Sequence, residues 1–89
     1  EVSVEKLRAI EAAEDVLRTE GFRVLRVRHH GDVARIEVGR DELGRLVEPQ
    51  MADRIDVAIR ALGFRHVAVD LRGYRLGSLN EGLKLRAVE

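Results

Sequence analysis

The sequence LRVRHHGDVARIEV, residues 25–38, contains two alternating segments joined by a Gly-Asp pair. Side chains on a β-strand point alternately to its two faces, so each segment predicts one apolar face and one polar face. Gly31 can supply the positive φ that opens a type II′ turn, and a two-residue turn makes the stretch a β-hairpin. The position of the turn then decides which side chains share a face.

The register of this hairpin separates apolar from charged side chains. The turn pairs His30 with Val33, Arg28 with Arg35, Arg26 with Glu37, Val27 with Ile36 and Leu25 with Val38. Shifting the pairing by one residue would turn Ile36 towards water and Arg35 towards the core, so only this register suits both faces. Guanidiniums on neighbouring strand positions can each bind a phosphate or carboxylate through two hydrogen bonds, and Glu37 opposite Arg26 would fix their orientation. The same face could instead be an ordinary solvated surface or could dock on an acidic partner.

Composition excludes several classes of protein. The 89 residues predict a single domain, 1–89, and the absence of cysteine excludes disulfides, thiolate metal sites and cysteine nucleophiles within this chain. Sixteen basic and sixteen acidic side chains leave no net charge to attract nucleic acid or anionic lipid. No stretch has the pattern of a membrane span or a signal peptide, so we expect a cytoplasmic protein with no nucleic-acid or membrane partner. Because the chain opens on Glu1 and not on methionine, we also expect it to be part of a longer protein.

Two helical patterns accompany the hairpin. Ser3 is a candidate N-cap for a first helix, and Gly21 is its expected end. Pro49 suits the first turn of a second helix, which Gly63 would end. The apolar residues with helical spacing are Leu7, Ile10, Ala13 and Leu17 in the first helix and Met51, Ile55, Ala58, Ile59 and Leu62 in the second.

A short internal repeat places the third strand. Residues 21–27 (GFRVLRV) align with residues 63–69 (GFRHVAV), and each copy is a glycine helix end, an aromatic residue and an alternating strand. Val67, Val69 and Leu71 are then expected to join the apolar face of the sheet. The predicted fold class is α+β, a two-layer sandwich of order α-β-β-α-β with a three-stranded, mainly antiparallel sheet and two helices on one face.

The other side of this sheet is called the outer face, because no predicted helix covers it. Its predicted side chains are Arg26, Arg28, His30, Arg35, Glu37, His66 and Asp70. His30 is a possible anion ligand or proton carrier, whereas His29 points to the apolar side. Three histidines without a His-x-x-x-His spacing do not indicate a metal site. Beyond the last strand, residues 70–82 form a glycine-rich loop with many hydrogen-bonding groups, in which Tyr74, Arg75, Ser78 and Asn80 are additional candidate site residues.

Three motifs together resemble the C-terminal domain of a known family. Residues 26–38, Leu62-Gly63-Phe64 and residues 73–81 (GYRLGSLNE) are similar to the LarE family, the ATP-dependent sacrificial sulfur transferases related to PP-loop ATP pyrophosphatases, which help to build the nickel-pincer cofactor of lactate racemase. The resemblance covers nearly the whole chain. It implies that an N-terminal PP-loop domain, which would bind ATP and Mg, lies upstream.

The resemblance also implies roles for the outer face. The upstream domain would adenylate a carboxylate of a nicotinic-acid-derived mononucleotide, and sulfur would then be delivered to the activated acyl group. Arg26 and Arg28 would bind the substrate phosphate or a passing pyrophosphate, and Glu37 would position one of them. The phosphate loop Ser-Gly-Gly-x-Asp-Ser and a sulfur-donating cysteine are both absent from these 89 residues, so no catalytic residue is assigned here and the fragment alone should be inactive.

Two other classes stay open on sequence grounds. A regulatory or oligomerisation module could use the same layers without needing the arginines, and apolar residues on more than one side of the second helix, Val57 among them, favour a homo-oligomer. An RNA-binding module would use the outer face, but none of the three aromatic residues is predicted there.

Overall fold

The computed structural model describes residues 3–74 and has the predicted order of elements. Its elements are α1 Val4–Thr19, β1 Leu25–His30, β2 Val33–Val38, α2 Leu43–Leu46, α3 Pro49–Arg60 and β3 His66–Val69, with a 3₁₀ turn at Arg40–Glu42 before α2. The α+β prediction and the order α-β-β-α-β of the principal elements are therefore confirmed. None of the helices in this part of the chain is long and apolar enough to cross a membrane.

The hairpin has the predicted register at every position. Arg28 lies opposite Arg35, and Val27 lies opposite Ile36. Gly31 has a φ of 59°, and no residue other than glycine has a positive φ in the described part of the chain. Asp32 therefore has a negative φ. A type II′ turn has a negative φ at its second central residue, whereas a type I′ turn has a positive φ there, so the Gly31-Asp32 turn is of type II′.

The sheet is mixed, with the strand order β1-β2-β3. The antiparallel pairing of β1 with β2 is the longer of its two ladders, and β3 runs parallel to β2. The parallel direction follows from the connection, because α2 and α3 carry the chain back to the start of β2 before β3 begins. As a result β2, which carries Arg35 and Glu37, is the central strand.

Both long helices pack on one face of this sheet and on each other. The buried core consists of Ala13, Leu17, Phe22, Val27, Ala34, Ile36, Val38, Leu46, Met51, Ile55, Ile59 and Phe64. Phe22 and Phe64, the aromatic residues of the internal repeat, are both buried next to helix ends. The opposite face of the sheet is thus the outer face that the sequence predicts.

Three leucines that the pattern assigned to the apolar face are exposed, and Leu62 is the least exposed of them at 37%. Leu7 is 51% exposed, because α1 covers the sheet mainly through its second half, where Ala13 and Leu17 lie. Leu71 is 80% exposed, because β3 ends at Val69 and the chain then turns at Asp70 instead of continuing as a strand. The prediction that Leu71 joins the apolar face was wrong.

Charged side chains hold the helical layer together at the end of α1. Arg54 of α3 donates two hydrogen bonds to the Glu20 carboxylate, and this bonding raises the pKa of Arg54 above its usual value. Arg45 of α2 donates to the Glu20 carbonyl oxygen at 2.9 Å, and its guanidinium lies 4.0 Å from the centre of the Phe22 ring. These contacts tie α2 and α3 to the end of α1.

Candidate anion-binding face

The outer face carries a compact group of charged side chains on β1 and β2 and at the residue directly after β3. We call it the arginine face and define it as Arg26, Arg28, Arg35, Glu37 and Asp70. Strand alternation places Arg26 and Arg28 of β1 beside Arg35 and Glu37 of β2, and the parallel register places Asp70 next to Glu37. The sequence predicts all five on this face, and the structure brings them together.

Glu37 is the buried centre of the arginine face. It is 7% exposed, and its Oε2 lies 3.1 Å from Arg35 Nη2, which donates a hydrogen bond to it, and 3.4 Å from Arg28 Nε. Its cross-strand neighbour in the register is Arg26, as predicted, but its ion pairs are with Arg28 and Arg35. Glu37 therefore orients a different pair of guanidiniums from the one the register alone suggested.

Arg35 is held from two sides. Its Nη2 donates to Glu37, and its Nε lies 3.8 Å from Asp70 Oδ2. A guanidinium between two carboxylates has part of its charge neutralised, so it attracts an external anion less than its neighbours do. Arg35 is better suited to ordering the face than to binding a ligand.

Arg26 has a different environment. It is exposed, it makes no ion pair within residues 3–74, and its guanidinium lies 5.5 Å from the centre of the Tyr74 ring. The backbone N–H of Tyr74 donates to the carbonyl oxygen of Val38 at 2.7 Å, which brings the ring to this end of the sheet. An aromatic ring therefore does lie beside the arginines, contrary to the prediction that the outer face has none.

Two guanidinium nitrogens of the arginine face are buried against its carboxylates, at 3.4 Å from Glu37 for Arg28 Nε and 3.8 Å from Asp70 for Arg35 Nε. The Nε atoms of Arg28 and Arg35 are buried and have no hydrogen-bond partner in the described part of the chain. Three guanidiniums face two carboxylates, which leaves one positive charge in excess. Arg28 and Arg35 are each more than a third exposed at the side chain, so the face is open and a bound anion would need a second wall.

The remaining candidate residues lie apart from this centre. His30 is exposed at the hairpin end of β1, and His66 is exposed at the start of β3. His29 packs on the apolar side as predicted, with its ring centre 5.2 Å from that of Phe64. Arg75, Ser78 and Asn80 lie outside the described residues. Residues 3–74 contain no group of three or more side chains that could bind a metal ion.

Sequence reasoning missed two contacts of acidic residues. Asp70 binds both Arg35 and the backbone of the turn that follows it. Glu14 of α1, for which no sequence pattern predicted a contact, accepts a hydrogen bond at 3.1 Å from the Val27 N–H of the edge strand β1. The contact of Asp70 with Arg35 could have been predicted from the parallel pairing of β3 with β2. The contact of Glu14 with Val27 could not, because it depends on how α1 lies along the edge strand β1.

Comparison with known proteins adds to this geometry. No protein-family model matches the chain. The chain is 43% identical over 72 residues to pyridinium-3,5-bisthiocarboxylic acid mononucleotide synthase of Lactiplantibacillus plantarum, a match that covers 81% of this chain and 25% of that protein. It is also 35% identical over 83 residues to an uncharacterized protein of Synechocystis, covering 93% of this chain and 31% of that protein.

The fold and the arginine face define a small α+β unit with an open, arginine-rich surface. The first of these matches confirms the resemblance that the motifs indicated, and the chain belongs to the LarE family through the segment that it shares. The chain spans between a quarter and a third of the length of the curated relatives that it matches.

Proposed function

We propose that this chain is the C-terminal substrate-binding and assembly domain of an ATP-dependent sulfur transferase, and that its arginine face binds the phosphate of a nucleotide-like substrate. The observation that carries the proposal is the arrangement of Arg26 and Arg28. Arg26 is exposed and makes no ion pair within residues 3–74, and the Arg28 side chain is 38% exposed beside the buried carboxylate of Glu37. A preorganised pair of guanidiniums is well suited to phosphate.

The relative from Lactiplantibacillus plantarum is named for a product with a phosphate group, the kind of group that we propose the arginine face binds. A mononucleotide carries a phosphate group, and a bisthiocarboxylic acid carries sulfur in place of oxygen at two carboxyl groups. In the proposed reaction, a substrate carboxylate oxygen attacks the α-phosphate of ATP and pyrophosphate leaves. A sulfur nucleophile then adds to the acyl carbon, and AMP leaves. ATP and Mg would be bound by an upstream PP-loop domain.

The arginine face would serve this reaction by binding and orientation. Arg26 and Arg28 would bind the substrate phosphate or the departing pyrophosphate, while Arg35 and Glu37 hold Arg28 in place. Fixed positive charges stabilise a phosphoryl group without having to reorganise during the reaction. Because the face is open, the upstream domain would supply the second wall, and His30, Tyr74, Arg75, Ser78 and Asn80 are further candidates for contacts there.

The experiment that tests this proposal uses the full-length protein. Arg26→Ala and Arg28→Ala are each expected to lower kcat/KM for sulfur transfer about tenfold to a hundredfold, which corresponds to the loss of one charged hydrogen bond. Arg65→Ala is the control, because that side chain is 80% exposed near Asp32 at the hairpin end. The thiocarboxylate product would be followed by mass spectrometry. Unchanged kcat/KM in both variants would contradict the proposal and favour a regulatory or oligomerisation module, which does not need the arginines.

Homo-oligomerisation is a separate proposal that rests on another surface. Val57 of α3 is 66% exposed on the side of the helix away from the core. Exposed apolar side chains of this kind can pack against a second copy of the chain. Sedimentation analysis would test this, and a monomer at high concentration would count against it. A cytoplasmic location stays a prediction from the sequence.

A further inference from the structure

Asp70 makes three hydrogen bonds in the turn that follows β3, two through its main chain and one through its side chain. Its N–H donates to the carbonyl oxygen of Ile36 at 2.9 Å, which is the last bond between β3 and β2. Its Oδ1 accepts from the N–H of Arg72 at 2.9 Å, and its carbonyl oxygen accepts from the N–H of Gly73 at 3.0 Å. An aspartate that bonds to the backbone two residues ahead stabilises a tight turn. Asp70 thus ends the strand and sets the direction of the chain after it.

This turn places Tyr74 against Arg26. Gly73 has a φ of 78°, and a Cβ at this position would lie 2.6 Å from the carbonyl oxygen of Val38, so the backbone lies directly on the end of β2. The next residue, Tyr74, donates its N–H to that same oxygen and presents its ring to Arg26. The position of the ring therefore depends on the bonds that Asp70 makes.

We infer that Asp70 is a positioning residue of the arginine face, which holds Tyr74 in contact with Arg26 and so restricts the Arg26 guanidinium. The inference rests on the proposed function, since it assigns a purpose to the ordering of Arg26. An arginine that is already ordered loses less conformational entropy when it binds an anion. Asp70 acts through Tyr74 and does not itself contact the anion.

Two substitutions at residue 70 separate the turn from the ion pair. Asp70→Asn keeps an oxygen that can accept from Arg72 N–H but removes the charge that faces Arg35. Asp70→Ala removes both. If the turn is what positions Arg26, Asp70→Asn should resemble the wild type in the position of Tyr74, and Asp70→Ala should not.

The chain offers a clean spectroscopic signal for this test. Tyr74 is its single tyrosine and it contains no tryptophan, so intrinsic fluorescence reports on Tyr74 alone. Quenching by acrylamide would measure the accessibility of the ring, and titration calorimetry with inorganic pyrophosphate would measure anion binding. Asp70→Ala is expected to increase quenching and to bind pyrophosphate about fivefold more weakly than Asp70→Asn, which lacks the same negative charge. Asp53→Ala is the matched control, because Asp53 is exposed on α3 and makes no ion pair within residues 3–74.

The outcomes distinguish the inference from the proposed function. Unchanged quenching in Asp70→Ala would overturn the inference, as would increased quenching with pyrophosphate binding as tight as in Asp70→Asn. Increased quenching with weaker binding in Asp70→Ala than in Asp70→Asn, which lacks the same charge but keeps the acceptor for Arg72 N–H, would support it. Absence of pyrophosphate binding in the wild type would contradict the proposed function. It would also overturn the inference that Asp70 prepares Arg26 for anion binding.

Discussion

Glu37 shows what residue-level pattern can and cannot predict. Alternation and the position of the turn were enough to place Glu37, Arg28 and Arg35 on one face, because both follow from backbone geometry. The choice of ion-pair partners was not predictable, since Arg26, Arg28 and Arg35 all start within reach of Glu37 and side-chain packing decides between them. The burial of Glu37 was also missed, because strand alternation assigns it to the open side of the sheet.

Replacing Glu37 with glutamine tests its role at the centre of the arginine face. Glu37→Gln keeps the shape of the side chain but removes the charge that Arg28 and Arg35 face. We expect the free energy of unfolding to fall by about 1–2 kcal/mol, less than for a fully buried pair because both arginines are partly exposed. Urea denaturation would measure the change, with the exposed Glu11→Gln as control. Equal midpoints for the two variants would show that Glu37 does not hold the face together.

Gly73 provides a second test at a single position. In Gly73→Ala the new methyl group would meet the Val38 carbonyl oxygen in a backbone conformation that alanine rarely adopts. We expect the bond from Tyr74 N–H to Val38 to be lost and the Tyr74 amide to exchange its hydrogen faster. Gly44→Ala in α2 is the control, because a Cβ there would meet nothing within 4 Å. Slow exchange at Tyr74 in Gly73→Ala would contradict the described turn.

At the scale of elements, the sequence predicted helices and strands where local signals were strong. The Ser3 cap is present, with Lys6 N–H donating to its Oγ at 3.1 Å, and Gly21 and Gly63 follow the helices with positive φ. The pattern failed at the end of β3, where it continued the strand to Leu71. Apolar alternation says nothing about where a strand stops, and here the aspartate turn at residue 70 ends it.

The join between α1 and α2 gives an element-scale prediction. Arg45 bonds to the last turn of α1 and covers the Phe22 ring, so Arg45→Ala removes a charged hydrogen bond and a cation-π contact together. We expect a loss of about 1–2 kcal/mol in the free energy of unfolding. Thermal or urea denaturation would measure it. Arg65→Ala should change stability by less than about 0.5 kcal/mol, and an equally small effect of Arg45→Ala would show that the contact contributes little.

At the scale of the whole molecule, the sequence predicted the fold class and its two layers. The hairpin, the helix ends and the internal repeat all agreed with one arrangement, a sheet with helices on one face. The parallel direction of β3 follows from the same order of elements, since a strand reached through a helical crossover returns parallel. What the 89 residues could not reveal is the second wall of the site. The proposal assigns that wall to an upstream domain, in keeping with the open arginine face and with the greater length of the curated relatives.

The isolated chain should accordingly bind anions without performing chemistry. We expect no ATP hydrolysis above background from the purified 89 residues, because none of them forms a phosphate loop of the Ser-Gly-Gly-x-Asp-Ser type. A malachite-green or coupled pyrophosphate assay would check this. Turnover that survives further purification and follows the protein through a sizing column would contradict the assignment of catalysis to an upstream domain.

The central claim is that Arg26 and Arg28 form a phosphate-binding surface, and calorimetric titration of the 89-residue chain with inorganic pyrophosphate tests it most directly. We predict binding that weakens as salt rises and that falls at least about tenfold in the double variant Arg26→Ala/Arg28→Ala. The charge-matched double variant Arg23→Ala/Arg65→Ala removes two exposed arginines outside the arginine face and should bind like the wild type. Equal weakening in the two double variants, or none in either, would contradict the claim.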